Sequence, residues 1–304
     1  METPTARVPL RGPYDLREVA LMGFGHRDED SFDGVMRLGF CVDGDYESHL
    51  GVAVRQEGDE LSVEIEQAVG PAADAAVVVR QAARVVSADQ DGQAYADLCR
   101  ADPMLAPIFA RAPGFRPANF YSPYEAAIWS ILSARRPRRQ GIALRQRLAE
   151  TFGTVLTVAG QPVPVVPTPS RLLAVDQLPG LPADRIPRLH AVAEAAQRGD
   201  LAVDRLTALG VDAAKTELQR LPGIGPFYSA LVVVRACGLT DVLSTQEPHS
   251  RRAVRSLYGL DHEPDDAELA AIAEAWRPFR TWATVALRAV GPRLGTPSGT
   301  NAAA

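Results

Sequence analysis

The hydrophobic period of this chain changes near residue 112, and that change constrains the fold more than any single motif. Before it, residues 35–43 (VMRLGFCVD), 49–56 (HLGVAVRQ) and 61–67 (LSVEIEQ) are short, partly alternating apolar runs parted by turns such as DGD and EGDE, which predicts an antiparallel meander. Helical composition at 14–24, 72–86 and 93–102 makes that part a small α+β unit. After a connector at 112–123 (APGFRPANFYSP), helical spacing or composition covers 124–134, 139–152, 169–175, 185–198, 203–209, 213–220, 227–237, 250–257, 266–276 and 280–290. The expected fold is mainly α with an N-terminal α+β domain over 1–112 that carries a small antiparallel sheet. A helical domain over 113–291 and a disordered tail over 292–304 complete the expectation.

Composition narrows the function classes. Apolar residues make up 46% and charged residues 23% of 304, enough for a sizeable core, which excludes disorder, collagen and fibre. No apolar run reaches 18 residues and the start METPTARVPLRGPYD lacks a signal-type apolar core, so a cytoplasmic monomer with no membrane partner is expected. Cys41, Cys99 and Cys237 are odd in number and far apart, as buried reduced thiols would be, and side-chain metal ligation is not expected. His26, His49, His190 and His262 are isolated and read as surface or capping residues.

The net charge of −5 argues against a polyanionic partner only while it is read as an average. Residues 1–120 carry 11 Arg and 20 Asp or Glu, a balance of −9, whereas 121–304 carry 21 basic and 17 acidic side chains, a balance of +4. Between 131 and 149 stand six arginines, at 135, 136, 138, 139, 145 and 147, with no acid. That strip reads either as a surface for phosphates or as a solvated helix face.

The most informative stretch is LPGIGPFYSA at 221–230, between two helical segments. Gly223-Ile224-Gly225 lets the backbone turn with positive φ and leaves amide N–H groups free at the start of the next helix. With the helix dipole behind them, such donors suit a phosphodiester, while the same glycines also serve an ordinary joint between helices.

This hairpin, with DVL at 241–243, the acid Glu247 and the helix SRRAVRSLYG at 250–259, resembles the helix–hairpin–helix (HhH-GPD) DNA glycosylase superfamily, most closely 3-methyladenine DNA glycosylase II. FYSPYEAAIWSILSARRPRRQGIALRQRLAETFG at 120–153, VVPTPSRLLAVD at 165–176, LPADRIPRLHAVAEAAQRGDL at 181–201 and WRPFRTWATVAL at 276–287 extend the resemblance in order, and Pro13-Tyr14-Asp15 is similar to the start of the family's N-terminal β domain. The resemblance implies a helix–hairpin–helix glycosylase domain beside a small sheet domain. It also implies hydrolytic release of alkylated, 3-methyladenine-type bases from double-stranded DNA after base flipping. No organic cofactor is implied, although a monovalent cation at the hairpin is.

In such an enzyme a carboxylate stabilises the cationic sugar and orients water. The family's aspartate position falls on Glu247, whose extra methylene moves the carboxylate by roughly 1 Å, enough to cost about a hundredfold in rate if nothing compensates. Pro248 and His249 flank it, the alternative for Glu247 is a surface acid near a helix start, and Asp241 is a second candidate. Phe227, Tyr228, Trp282 and Arg288 are the expected base-pocket residues, Arg288 standing where the family has a late aromatic. Gly223, Ile224, Gly225, Ser229, Arg135, Arg136 and Arg138 are the expected DNA-binding residues, Arg135 entering the gap left by the base. Ala134 replaces the family's glutamine, and Phe227 stands where bifunctional members keep a lysine, so lyase chemistry is not expected. No cysteine follows Cys237, which separates the chain from the iron–sulfur branch. These departures keep a second reading open, a non-catalytic DNA-binding or damage-recognition protein with a diverged site.

Overall fold

The structure is a computed structural model, and the residues it describes are 5–27, 30–243 and 248–295, without the side chains of 248–250 and 295. In chain order it runs β1 (Thr5–Pro9), α1 (Leu16–Ala20), β2 (Met36–Cys41), β3 (His49–Glu57), β4 (Glu60–Val69), α2 (Ala75–Val85), α3 (Gly92–Ala101) and α4 (Leu105–Arg111). There follow α5 (Pro123–Ser133), α6 (Arg138–Phe152), β5 (Thr154–Val158), β6 (Gln161–Val165), α7 (Pro169–Leu172) and α8 (Ile186–Gln197). The chain continues through α9 (Val203–Leu209), α10 (Val211–Leu218), α11 (Pro226–Ala236), α12 (Pro248–Tyr258), α13 (Asp266–Glu274), α14 (Arg280–Ala289) and a closing 3-10 turn at Gly291–Gly295. The protein is thus mainly helical with a small N-terminal antiparallel sheet.

The sheet has the order β1-β4-β3-β2, every pair antiparallel. Its fourth strand, β1, adds an edge to the expected meander; TARVP is short and ends in proline, so its own pattern is weak. A second departure is the β5–β6 hairpin inside the helical part, where Pro162 and Pro164 mask the strand signal. The hairpin packs on β2 and β3 because Gly39 and Gly51 face each other across that pair. A Cβ on Gly39 would lie 2.5 Å from Val163 Cγ1, and one on Gly51 would lie 2.8 Å from Val158 Cγ2. Two missing side chains therefore make the seat for four valine and leucine side chains of the hairpin.

Three apolar cores follow. The sheet closes over α1 and α2. A second core surrounds α5, all of whose residues are buried, and takes in α6, α8 and the inner face of α11. Ser122 caps α5 by accepting from Glu125 N, and Pro123 opens it, so the sequence Ser-Pro-Tyr-Glu fixes where this central helix starts. In the third core, α3 and α4 pack with α12, α13 and α14, joining segments far apart in the chain. The expected tail is ordered through Gly295, where Arg293 pairs with Glu18 at 2.6 Å, and 296–304 lie outside the described residues. No helix of the described residues is long and apolar enough to cross a membrane.

Candidate nucleic-acid interface and site

The hairpin joins α10 to α11. Leu221 N bonds Leu218 O at 3.0 Å and Ile224 N bonds Leu221 O at 3.1 Å, while the Ile224 side chain sinks into the α5 core and pins the turn. Gly223 takes φ +90°, where an L side chain is strained, but Gly225 has φ −91° and ψ −173°, ordinary extended backbone. Only one of the two glycines is therefore required by backbone conformation. A Cβ on Gly225 would meet nothing within 4 Å, so it faces open space. Gly225 caps α11 without a side-chain bond and Pro226 opens the helix, which leaves the N–H groups of Phe227 and Tyr228 without an intrahelical acceptor.

Beside the turn lies the end of α5. Tyr228 Oη and Ser133 Oγ are 3.3 Å apart, and the 43%-exposed Phe227 ring stands edge-on to Tyr228 at 5.2 Å. Ala134 is half-buried beyond this helix end, and Arg135 follows it at φ +58°, exposed. Arg136 turns back to donate to Leu132 O at 3.3 Å. From the opposite side Arg185, just before α8, donates to Ile131 O at 3.0 Å, and Arg188 pairs with Asp184 at 2.7 Å. The stem of Arg188 lies against the turn, its Cδ 3.0 Å from where a Gly223 Cβ would be. Burial, then the charges of Arg188, Arg136 and Arg135, hold Arg185 below the usual arginine range, with Asp184 opposing. Arg185 and Arg188 are not singled out by sequence; their only signal is two arginines spaced one helical turn apart in DRIPR.

Other expected residues take different places. Ser229 is fully buried and donates to Pro226 O at 3.0 Å, so its hydroxyl braces α11 instead of facing a DNA surface. Arg138 donates to Gly25 O at 3.2 Å and to Arg27 O, which ties α6 to the N-terminal segment. Arg145 leaves the basic strip altogether and pairs with Glu125 in the interior. Trp282 is 2% exposed and packs edge-on to Tyr95 at 5.1 Å in the third core, away from Tyr228, because α14 buries this face against α3. His49 is buried, not superficial, with Nε2 2.9 Å from Val166 O.

A group of arginines gathers around Asn119. Arg27 and Arg235 are both buried; Arg27 donates to Asn119 O, and Arg235 donates to Ala118 O and lies 3.8 Å from the Phe24 ring centre. Burial, followed by the half-buried Arg288 and by Arg27, pushes Arg235 far below the usual arginine range. The half-buried Arg288 is thus near enough for its charge to act on Arg235.

The candidate carboxylate Glu247 lies outside the described residues, as do Thr245 and Gln246. Its approach is anchored: Thr281 N bonds Thr240 O at 2.8 Å and Val242 N bonds Thr281 Oγ1 at 2.9 Å. Asp241 accepts from Arg280 Nε at 2.6 Å and Arg277 Nη1 at 3.0 Å, so this carboxylate is committed to holding the start of α14. All three cysteines are buried free thiols, and among the described residues no cluster of His, Cys, Asp and Glu has metal-site geometry.

No family model matches the chain. It is 20% identical to the DNA-3-methyladenine glycosylase of Bacillus subtilis over 204 residues, 64% of this chain and 66% of the relative. It is 24% identical over 295 residues, 93% of this chain, to the "Probable bifunctional transcriptional activator/DNA repair enzyme AlkA" of Mycobacterium tuberculosis. The chain spans 56% of that longer protein and just under two thirds of the Bacillus one. Its structure is similar to that of the 3-methyladenine DNA glycosylase from Archaeoglobus fulgidus, with a TM-score of 0.76 and 19% identity over 96% of this chain and 100% of the other. The chain thus shares the fold of that DNA glycosylase.

Proposed function

We propose that the chain is a DNA glycosylase that binds double-stranded DNA through its phosphates, turns a damaged nucleotide outward and hydrolyses its N-glycosidic bond. The observation that carries this reading is Gly225. Neither its dihedral angles nor any neighbour in the chain calls for glycine there, whereas close approach of a ligand backbone does. The free N–H groups behind it and the positive end of α11 favour an anionic oxygen at that place. By name the Bacillus relative is a DNA glycosylase and the Mycobacterium one a DNA repair enzyme, and a DNA phosphate is such an anion.

In the hydrolysis, the oxygen of a water bonds to C1′ as the bond from C1′ to the base nitrogen breaks; the cationic alkylated base leaves neutral with the bonding electron pair, and the water's proton passes to solvent. Glu247 is the carboxylate assigned to stabilise the positive sugar and orient the water. Phe227 in place of an amine at the start of α11 favours hydrolysis without a lyase step; Lys215, the single lysine, pairs with Asp212 on α10. The names of the Bacillus relative and of the Archaeoglobus enzyme favour an alkylated, 3-methyladenine-type base as the one released. A monovalent cation at the hairpin would be held by backbone carbonyls, since residues 221–225 carry no acidic side chain.

One observation favours the second reading, binding without catalysis. Trp282 is sequestered in the third core, so of the three expected pocket aromatics Phe227 and Tyr228 remain near the hairpin for a flipped base. The test is release of free 3-methyladenine, 7-methylguanine and hypoxanthine from DNA by the wild type and by Glu247→Gln. Release that falls by about a hundredfold or more in the variant supports the reading. Equal release by both removes Glu247 from the mechanism, and salt-sensitive binding with no release favours the second reading.

A further inference from the structure

We propose that the first turn of α8 is a second phosphodiester-binding point beside the hairpin, with Arg185 and Arg188 as the direct ligands and Arg135 and Arg136 completing the positive field. The proposal rests on the DNA-binding reading above and extends it to a helix that the hairpin motif does not include.

Four guanidinium groups converge where the turn, the end of α5 and the start of α8 meet, and Asp184 is the acid among them. A purely internal role explains two of the four. The last carbonyls of α5 lack intrahelical donors, and Arg185 and Arg136 supply them at Ile131 and Leu132. Such capping does not account for Arg188, which among the described residues pairs with the exposed Asp184, nor for the exposed Arg135. Concentrated like charge is unfavourable unless an anion compensates it, and after burial it is the charges of Arg188 and Arg136 that hold Arg185 below the usual arginine range.

The geometry suits a phosphodiester. Arg185 is pinned by its bond to Ile131 and the Arg188 stem by the Gly223 turn, so both forks are oriented before a ligand arrives. An oriented guanidinium presents paired donors that match the oxygens of a phosphate. Because Arg188 touches the turn whose amides are open, the two anion points lie on one surface, as successive phosphates of a single strand require.

The test is fluorescence anisotropy of a labelled undamaged duplex titrated with the full chain at several salt concentrations, for the wild type, Arg185→Gln, Arg188→Gln, Asp184→Asn and the remote control Arg198→Gln. Each lost phosphate contact lowers the slope of log affinity against log salt by about 0.9. We expect that fall in both arginine variants, with binding about threefold to tenfold weaker near 0.1 M salt, and no change in the control. Asp184→Asn tightens binding, a result a merely capping role would not produce. Arg188 has no bond to α5, so its variant stays informative even if Arg185→Gln disturbs the helix end. Unchanged slopes in Arg188→Gln with normal wild-type binding overturn the proposal alone. No DNA binding by the wild type overturns the DNA-binding reading and the proposal together.

Discussion

Arg145 Nη2 donates to Glu125 Oε2 at 3.1 Å, with side-chain exposures of 9% and 2%, deep in the seam between the sheet and the helical part. Glu125 also accepts from Cys41 N of β2 at 3.2 Å, and Arg145 donates to Pro164 O of β6 at 3.2 Å. One buried ion pair therefore ties β2, α5, α6 and β6 together. Removing either partner strands a charge away from water. Glu125→Gln and Arg145→Met should each lose about 3–5 kcal/mol in urea denaturation, and the double variant should recover much of that.

The two hairpin glycines should behave oppositely. Gly223→Ala places a side chain at φ +90° and 3.0 Å from Ile131 Cδ1, so it should cost about 1–2 kcal/mol of stability. Gly225→Ala meets neither strain nor a neighbour, so the melting temperature should hold while DNA affinity falls. Calorimetry beside anisotropy separates the two, and equal DNA affinity for Gly225→Ala would contradict the phosphate role.

Arg135 is a second place where stability and binding should diverge. At φ +58° its backbone is strained, so Arg135→Gly should gain up to about 1 kcal/mol. The same change removes an exposed positive charge beside the hairpin, and DNA binding should weaken with a shallower salt dependence.

The thiols should be silent in the native protein. Burial pushes Cys237 up to about 11 and Cys99 up to about 12, and it raises Cys41 well above the usual thiol range. Raised values mean that thiolate is scarce at pH 8 and grows only as pH climbs toward those values. Ellman's reagent at pH 8 should find no rapid reaction in the folded protein and all three groups after denaturation.

Gly39→Val should loosen the β5–β6 hairpin. Its Cβ would stand 2.5 Å from Val163 Cγ1 and 2.9 Å from Val165 Cγ2, a collision that overpacking precedents put at about 1–3 kcal/mol. Faster proteolytic cleavage within 154–165 than in the wild type would report the displaced hairpin.

What the sequence by itself determined were features set by near neighbours in the chain. The helices α5 through α14 follow from 3.6-residue apolar spacing, their ends from Gly, Pro and Ser122, and the hairpin from Gly223 and Pro226. The β5–β6 strands escaped because Pro162 and Pro164 break the local pattern, and their stability comes from Gly39 and Gly51 more than a hundred residues earlier. Likewise Arg135, Arg136, Arg138 and Arg145 look alike in one basic run. Only the tertiary structure separates an exposed arginine at the turn, a helix-end donor, a strap to Gly25 and Arg27, and the buried partner of Glu125. It also brings Arg188 to Gly223 across more than thirty residues of chain, sets Arg185 against Ile131 O, and sends Trp282 into the third core. The physical reason is range. Periodicity records which face of an element is apolar, whereas the charge, donor or cavity that a side chain meets is chosen by packing between elements that the chain itself keeps far apart.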